Sequence, residues 1–192
     1  MSDIVVYGVP GSPFMRAVQM GLEEKNAAYR VQTLGVGESK SEAYLRKHPF
    51  GRVPAFEHGN FGLYETQAIL RYLDDVIREP ALEPAEPRAA ARMNQIIGIN
   101  DWYFFPKVAA ALPAGRVCIA ELDRLLGAQP FLAGERLSIA DLVLAPQLDF
   151  LAETPEGKAL LAGTRIEPWL ERMNKRPSMQ ATQRPDALRR AA

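Results

Sequence analysis

The chain has 192 residues, 47% of them hydrophobic and 24% charged, the proportions of an ordinary globular protein with room for one or two compact domains. Its 23 Lys and Arg balance its 23 Asp and Glu, so bulk attraction to nucleic acid or an anionic membrane is not expected and any anion site must be local. A single cysteine, Cys118, excludes an internal disulfide and a cysteine-cluster metal site, and two histidines alone cannot build a histidine-rich one.

The opening MSDIVVYGVP lacks the basic segment and apolar run of a secretory signal, and no apolar run reaches the roughly 18 residues a membrane helix needs. The expectation is a cytoplasmic protein with no membrane partner. Ile4 to Tyr7 reads as a short buried strand. A Gly/Pro turn leads into a helix over about Pro13 to Lys25, with Phe14, Val18 and Leu22 on one face and Arg16, Glu23 and Lys25 elsewhere. Tyr29 to Leu34 alternates as a half-buried strand does, so the three elements suggest a right-handed parallel unit. Residues 41–47 suggest a short helix. VPAFE and FGLY flank His58-Gly59-Asn60, a hairpin signal. A helix from about Thr66 to Ile77 closes the unit, with Ile69, Leu70, Leu73, Val76 and Ile77 facing inward.

Residues 78–89, REPALEPAEPRA, carry three prolines and read as a linker. The division expected is an α/β domain over 1–77 (βαβ, then ββα), a linker over 78–86 and an all-helical bundle over 87–192. Its helices are expected over 87–111 (bent near Pro106), 115–127, 155–162 and 165–175, with SIADLVLAPQLDFLA apolar on nearly every side and therefore central. Ser138 with Asp141 three residues on forms a capping box in which Asp replaces Glu. The tail RPDALRRAA is expected to fray.

The stretch GSPFMR, residues 11–16, would be a dithiol motif opening a helix if cysteine stood at Ser12 and Met15. Taken with YGVPGSPFMR, GESKSEAYLRKHPFGRVPAF, LYETQAILRYL and LSIADLVLAP, it resembles the soluble glutathione S-transferases over nearly the whole chain. The spacing of Arg16 from Tyr7, and HPFGRVPAF, look most like the serine-type phi and theta classes or their bacterial relatives. The resemblance implies a thioredoxin-like domain that binds glutathione, a helical domain that contributes an electrophile pocket, a homodimer, and no metal or cofactor beyond glutathione as cosubstrate. It also admits a catalytically silent binding or regulatory descendant.

By the same resemblance Ser12 donates a hydrogen bond to glutathione sulfur. A free thiol is only about 3% ionised at pH 7, and lowering its pKa by about two units takes roughly 2.7 kcal/mol. A hydrogen bond to a charged acceptor supplies about 1.5–3 kcal/mol and a helix N-terminus up to about 1. Ser-Pro is equally an N-cap followed by proline at the first helical position, and the two roles compete for one hydroxyl. Tyr7 is the alternative donor, or a strand-end core aromatic. Val53-Pro54 matches the family's cis-proline, whose preceding residue pairs with the cysteinyl part of glutathione. Glu65 and Thr66 correspond to the γ-glutamyl site at a helix start, or form an ordinary acidic first turn with Thr66 as cap. Lys40 and Arg52 are candidates for the glycyl carboxylate, though the family more often has histidine where Ser39 stands and glutamine where Arg52 stands. Phe14, Trp102, Tyr103 and Phe105 are candidates for the electrophile pocket, with Phe104 beside them. Since consecutive residues cannot all face one way, some of these are core or dimer contacts. Phe50 suits either insertion into a partner subunit or core packing, and Cys118 reads as a small buried residue.

Overall fold

The computed structural model describes residues 3–104 and 112–185. Their contacts form two units, one of the described residues up to Pro80 together with those from Pro177 on, the other of the described residues between Ala81 and Arg176.

In the first unit β1 (Ile4–Gly8) leads to α1 (Pro13–Glu24) and β2 (Arg30–Thr33). After a 3₁₀ turn at Glu38–Lys40 come α2 (Glu42–Leu45), β3 (Ala55–His58), β4 (Phe61–Tyr64) and α3 (Thr66–Val76). The sheet order is β2-β1-β3-β4. β1 and β2 are parallel, with Val5 opposite Arg30 and Gly8 opposite Thr33. β3 runs antiparallel to β1, with Tyr7 opposite Ala55, and β4 antiparallel to β3, with His58 opposite Phe61. This is the βαβ-ββα thioredoxin-like arrangement.

Strand alternation sends the side chains of β1 to two faces. Ile4 and Val6 join Phe56, Met15, Val18 and Leu22 of α1, and Ile69 and Leu73 of α3. On the other face Leu34, Tyr44 and Ala55 pack with Tyr7 and Val53. Each such buried aliphatic or aromatic side chain contributes about 1.5–3 kcal/mol, so these clusters fix where β1 ends and α1 begins.

Two expectations are corrected, and two charged residues placed off the apolar face of α1 prove to be buried. All of β2 is exposed rather than half-buried, because it is an edge strand and only the flanking Tyr29 and Leu34 reach the cores. Val76 is exposed, since the inward stripe of α3 is carried by Ile69, Leu70 and Leu73. Arg16 is buried and its Nη2 donates to Met179 Sδ at 3.4 Å. Lys25 is 4% exposed, and its Nζ donates to Asp74 Oδ1 at 2.6 Å, Ile77 O at 2.5 Å and Pro80 O at 2.6 Å. A buried ammonium needs such a full set of partners.

In the second unit α4 (Pro87–Ile99) continues as a π-helical turn at Asn100–Phe104. α5 (Leu112–Leu126), α6 (Ile139–Leu151), α7 (Pro155–Leu161) and α8 (Ile166–Asn174) follow. Pro106, the expected bend, lies outside the described residues. Every residue of α6 from Ile139 to Leu148 is buried, as its apolar run implies. Asp141, fully buried, accepts from Ser138 N (2.9 Å), Ser138 Oγ (2.8 Å), Leu132 N (2.8 Å) and Trp169 Nε1 (3.1 Å). Cys118 is buried. The final short helix, α9 (Pro177–Ala181), has no counterpart in the sequence expectation. It groups with the first unit rather than with the helical one, because Met179 and Ser178 engage Arg16 and Glu24 of α1. No helix among the described residues is long and apolar enough to cross a membrane.

Candidate functional site

Ser12 stands where β1 has ended and α1 starts. Proline at the first helical position needs no hydrogen bond for a missing N–H. Ser12 Oγ accepts from Met15 N at 3.4 Å, a long cap. A serine oxygen accepts through lone pairs and donates through its one proton. The cap uses a lone pair, and the Ser12 proton goes to no other group among the described residues. Capping and donation to a ligand are therefore compatible, contrary to the competition expected from sequence. Met15, the position of a second cysteine in a dithiol motif, is a buried core residue.

Tyr7 is occupied differently. Its hydroxyl donates to Glu57 Oε2 at 2.5 Å, Lys47 pairs with the other oxygen of Glu57, and Lys47 Nζ lies 4.5 Å from the Tyr7 ring centroid. Burial and the Glu57 carboxylate push the phenol above its usual value, so it stays protonated with its proton directed at Glu57. Lys47 and Glu57 were not singled out in the sequence. The signal was present in the pairing of β1 with β3, where Glu57, two residues beyond Ala55, shares the face of Ala55 and Tyr7.

The loop before β3 gathers Lys40, Arg52, Val53 and Pro54. Lys40 Nζ donates to Gly51 O at 3.2 Å and Phe50 O at 3.4 Å. A Cβ on Gly51 would sit 2.7 Å from Ser39 O and 2.8 Å from Lys40 Nζ, so only glycine admits this approach. Arg52 is exposed and its carbonyl accepts from Tyr44 Oη at 2.7 Å. The Val53–Pro54 bond is cis. Glu65 occupies the N-cap of α3 at φ +72°, the left-handed region that a residue with a Cβ adopts at a cost, and no side chain caps this helix start. Thr66 is its first helical residue rather than its cap.

His48 lies in the same neighbourhood and was missed in the sequence, although HPFGRVPAF contains it. Its ring is buried, 4.8 Å from the Tyr64 ring, and Nδ1 has no partner among the described residues. Burial holds the imidazole below its usual value, against the Glu65 charge and with Arg52 and Lys40 adding to the depression.

Of the aromatic candidates, Phe14 is half-buried on the first turn of α1. Trp102 and Tyr103 are 77% and 56% exposed on the π-helical turn, while Phe104 is core. Such turns are frequent at functional sites. Phe105 lies outside the described residues. Phe50 is 67% exposed and meets Tyr64 and His48 edge-on, so it is not a core residue within this chain. A cavity of about 660 Å³ in the second unit, lined by Pro84, Arg88, Leu125 and Arg136 among others, contains none of the candidate site residues.

Two models of one family match the chain. The glutathione S-transferase N-terminal domain covers residues 6–81 and the glutathione S-transferase C-terminal domain covers residues 101–172. The chain belongs to the glutathione S-transferase family. It is 26% identical to glutathione S-transferase F6 of Arabidopsis thaliana, over 94% of this chain and 99% of that protein. Among solved structures it superposes on poplar glutathione transferase F1 with a TM-score of 0.85 at 24% identity, covering all of both chains. It also matches the theta class glutathione S-transferase of Xanthomonas axonopodis pv. citri with glutathione bound, with a TM-score of 0.78 at 25% identity over 95% and 97% of the two chains. In this glutathione S-transferase the four quoted motifs fall at the β1–α1 junction, at α2 through β3, at β4 through α3, and on the first turns of α6.

Proposed function

We propose that this chain is a serine-type glutathione S-transferase, close to the phi and theta classes, acting as a cytoplasmic homodimer. It activates glutathione as a thiolate for conjugation to, or reduction of, small hydrophobic electrophiles. The observation that carries this reading is Ser12. Its hydroxyl sits at the start of α1 with its oxygen capping Met15 N and its proton available. Donating that proton to sulfur supplies about 1.5–3 kcal/mol of preference for the anion, and the helix N-terminus about 0.3–1 more. That covers the roughly 2.7 kcal/mol needed to lower a thiol by about two units.

The remaining groups divide glutathione between them. The uncapped start of α3 with Thr66 receives the γ-glutamyl carboxylate, and Glu65 the γ-glutamyl ammonium. The main chain of Val53, before Pro54, pairs with the cysteinyl part. Arg52, exposed, and Lys40, partly engaged with carbonyls, serve the glycyl carboxylate. Phe14, Trp102, Tyr103 and Phe105 are the candidates to contact the electrophile. The chain's part in the reaction is to bind the peptide, release the thiol proton to solvent and hold the sulfur charged. The thiolate then forms a bond to the electrophilic atom as the leaving group departs.

The test is calorimetric binding of glutathione, turnover of chlorodinitrobenzene, and titration of thiolate absorbance in wild type and Ser12→Ala. Saturable binding with a thiol pKa raised by about one to two units in Ser12→Ala is expected. Absence of glutathione binding, or identical titrations, overturns the reading.

A further inference from the structure

The residues proposed to hold the two ends of glutathione are linked by one buried ring. His48 is 2% exposed and lies just after α2, its backbone N–H donating to Tyr44 O at 2.9 Å. Its carbonyl accepts from Gly51 N at 2.8 Å, closing a β-turn over residues 48–51 with Pro49 at the second position. The carbonyls of Phe50 and Gly51 on that turn hold Lys40 Nζ, and Arg52 is the next residue. The ring also meets Tyr64, with centroids 4.8 Å apart, and Tyr64 is followed directly by Glu65 and Thr66. Tyr44 at 6.4 Å and Phe50 at 6.2 Å complete an aromatic seat. The imidazole therefore joins the turn that carries the glycyl candidates to the strand end that leads into the γ-glutamyl candidates.

We infer that His48 is a positioning residue for the bound peptide, holding the turn at 48–51 and the β4–α3 junction in register only while its ring is uncharged. The inference rests on the glutathione reading above. Nδ1 is buried and has no hydrogen-bond partner among the described residues. A neutral imidazole can leave that nitrogen as an unprotonated acceptor, whereas the imidazolium must place an N–H there. A buried N–H without an acceptor is costly, and the buried charge adds its own desolvation. Protonation therefore drives the ring from its seat, and the turn and the strand end lose their common contact. The phenols of Tyr44 and Tyr64 face the ring. Of the charges acting on it, Glu65 favours the proton and Arg52 and Lys40 oppose it. Burial outweighs Glu65 and holds the imidazole below its usual 6.5. The bound peptide alters both sides of this balance. Its ammonium at Glu65 disfavours the proton and its glycyl carboxylate at Lys40 and Arg52 favours it, so the two offset and the seat decides. The seated ring is held fully above pH 6.5, weakens as pH falls below it, and reaches its lower level once pH is under the folded value.

The test uses S-methylglutathione, which has no ionisable thiol, so the action of Ser12 on sulfur does not enter its pH dependence. Its dissociation constant is measured by calorimetry from about pH 7.5 to about pH 5 in wild type and His48→Gln. Glutamine keeps a neutral polar side chain that does not titrate. Wild type should weaken about three- to fivefold over that range, and His48→Gln less than about twofold. The chain has two histidines, so NMR can follow each imidazole, the His48 signal being the one lost in His48→Gln. It should titrate below 6.5 in the free protein, and about one unit lower with S-methylglutathione bound. If His48→Gln does not fold, His58→Gln supplies the assignment and the wild-type titration decides. Equal pH dependence in the two proteins, or an imidazole titration unmoved by the ligand, overturns the assignment to His48. So does a His48→Gln protein that binds more weakly at every pH but in parallel with wild type, which marks the ring as packing alone. In each of these cases the glutathione reading stands. Absence of S-methylglutathione binding by wild type at about pH 7.5 overturns both.

Discussion

Asp141 anchors the helical unit, and its replacement makes a graded prediction. One carboxylate oxygen, Oδ1, accepts from Leu132 N at 2.8 Å and Trp169 Nε1 at 3.1 Å, and Oδ2 accepts from Ser138 N at 2.9 Å and Ser138 Oγ at 2.8 Å. Asp141→Ala leaves three N–H donors buried without an acceptor, while the Ser138 hydroxyl can rotate away. Each orphaned donor costs about 1–3 kcal/mol, and water entering the vacated space returns part of it. A loss of about 4–6 kcal/mol follows, comparable with a whole domain's stability of about 5–15. Asp141→Asn keeps Oδ1 for Leu132 and Trp169 but sets an amide N–H against Ser138 N–H. It should cost about 2–3 kcal/mol. Trp169→Phe removes one long bond and little volume, about 1–2 kcal/mol. Urea unfolding gives the three values from shifts in midpoint at constant slope. Asn within about 0.5 kcal/mol of wild type, or Trp169→Phe as the worst of the three, would refute the reasoning that acceptor count at Asp141 sets the cost.

Tyr7→Phe should cost about 1 kcal/mol of stability by removing the bond to Glu57 and leave turnover within about twofold; a fall matching that of Ser12→Ala would make the phenol the thiol's donor. Thr66→Ala should weaken glutathione about tenfold without moving the bound-thiol pKa, and an unchanged dissociation constant by calorimetry would dismiss the γ-glutamyl placement. Glu57 is pushed up by burial, but hydrogen bonds from Lys47 and Tyr7 and the Lys47 charge outweigh this and hold its carboxyl below the ordinary 4.5. The folded state therefore releases this proton more readily than the unfolded one. The stabilisation is fully present above pH 4.5 and disappears as pH falls through the lower folded value. Denaturation at stepped pH should show a shallower acid decline in Glu57→Gln, and identical slopes would contradict it.

Features governed by neighbours in sequence were legible, and those governed by distant partners were not. Ile4 to Tyr7, the Gly59-Asn60 turn and the unbroken apolar run of α6 declare themselves because periodicity and turn chemistry are local. The exposure of β2 was hidden because alternation reads the same in an edge strand as in a central one. Arg16 and Lys25 look like surface charges on an amphipathic helix, yet their partners lie 163 and about 50 residues away. The left-handed Glu65 carries no mark in composition, since the residue favoured at positive φ would have been glycine. The junction between β1 and α1 was legible as a helix start because Ser-Pro supplies both the cap and the first helical position. The partner of Tyr7 required the β1–β3 register.

On the proposed reading the position of a dithiol motif works without sulfurs of its own, and the helix start explains how. A helix beginning beside a strand end offers unpaired N–H groups and a partial positive charge wherever the fold is kept. Those belong to the backbone and survive any change at Ser12 or Met15. Met15 is a core residue, so this position holds no thiol and helps seat α1 on the sheet. Ser12 retains the two properties of a hydroxyl that matter here. Its lone pair accepts Met15 N, and that acceptance polarises the O–H so that its proton is a better donor. Capping thus strengthens donation instead of spending it. Alanine at this position would lose both, whereas the effect on folding should be small because a 3.4 Å cap is weak. A variant that keeps its stability and loses its thiolate is what separates a donor from a mere cap.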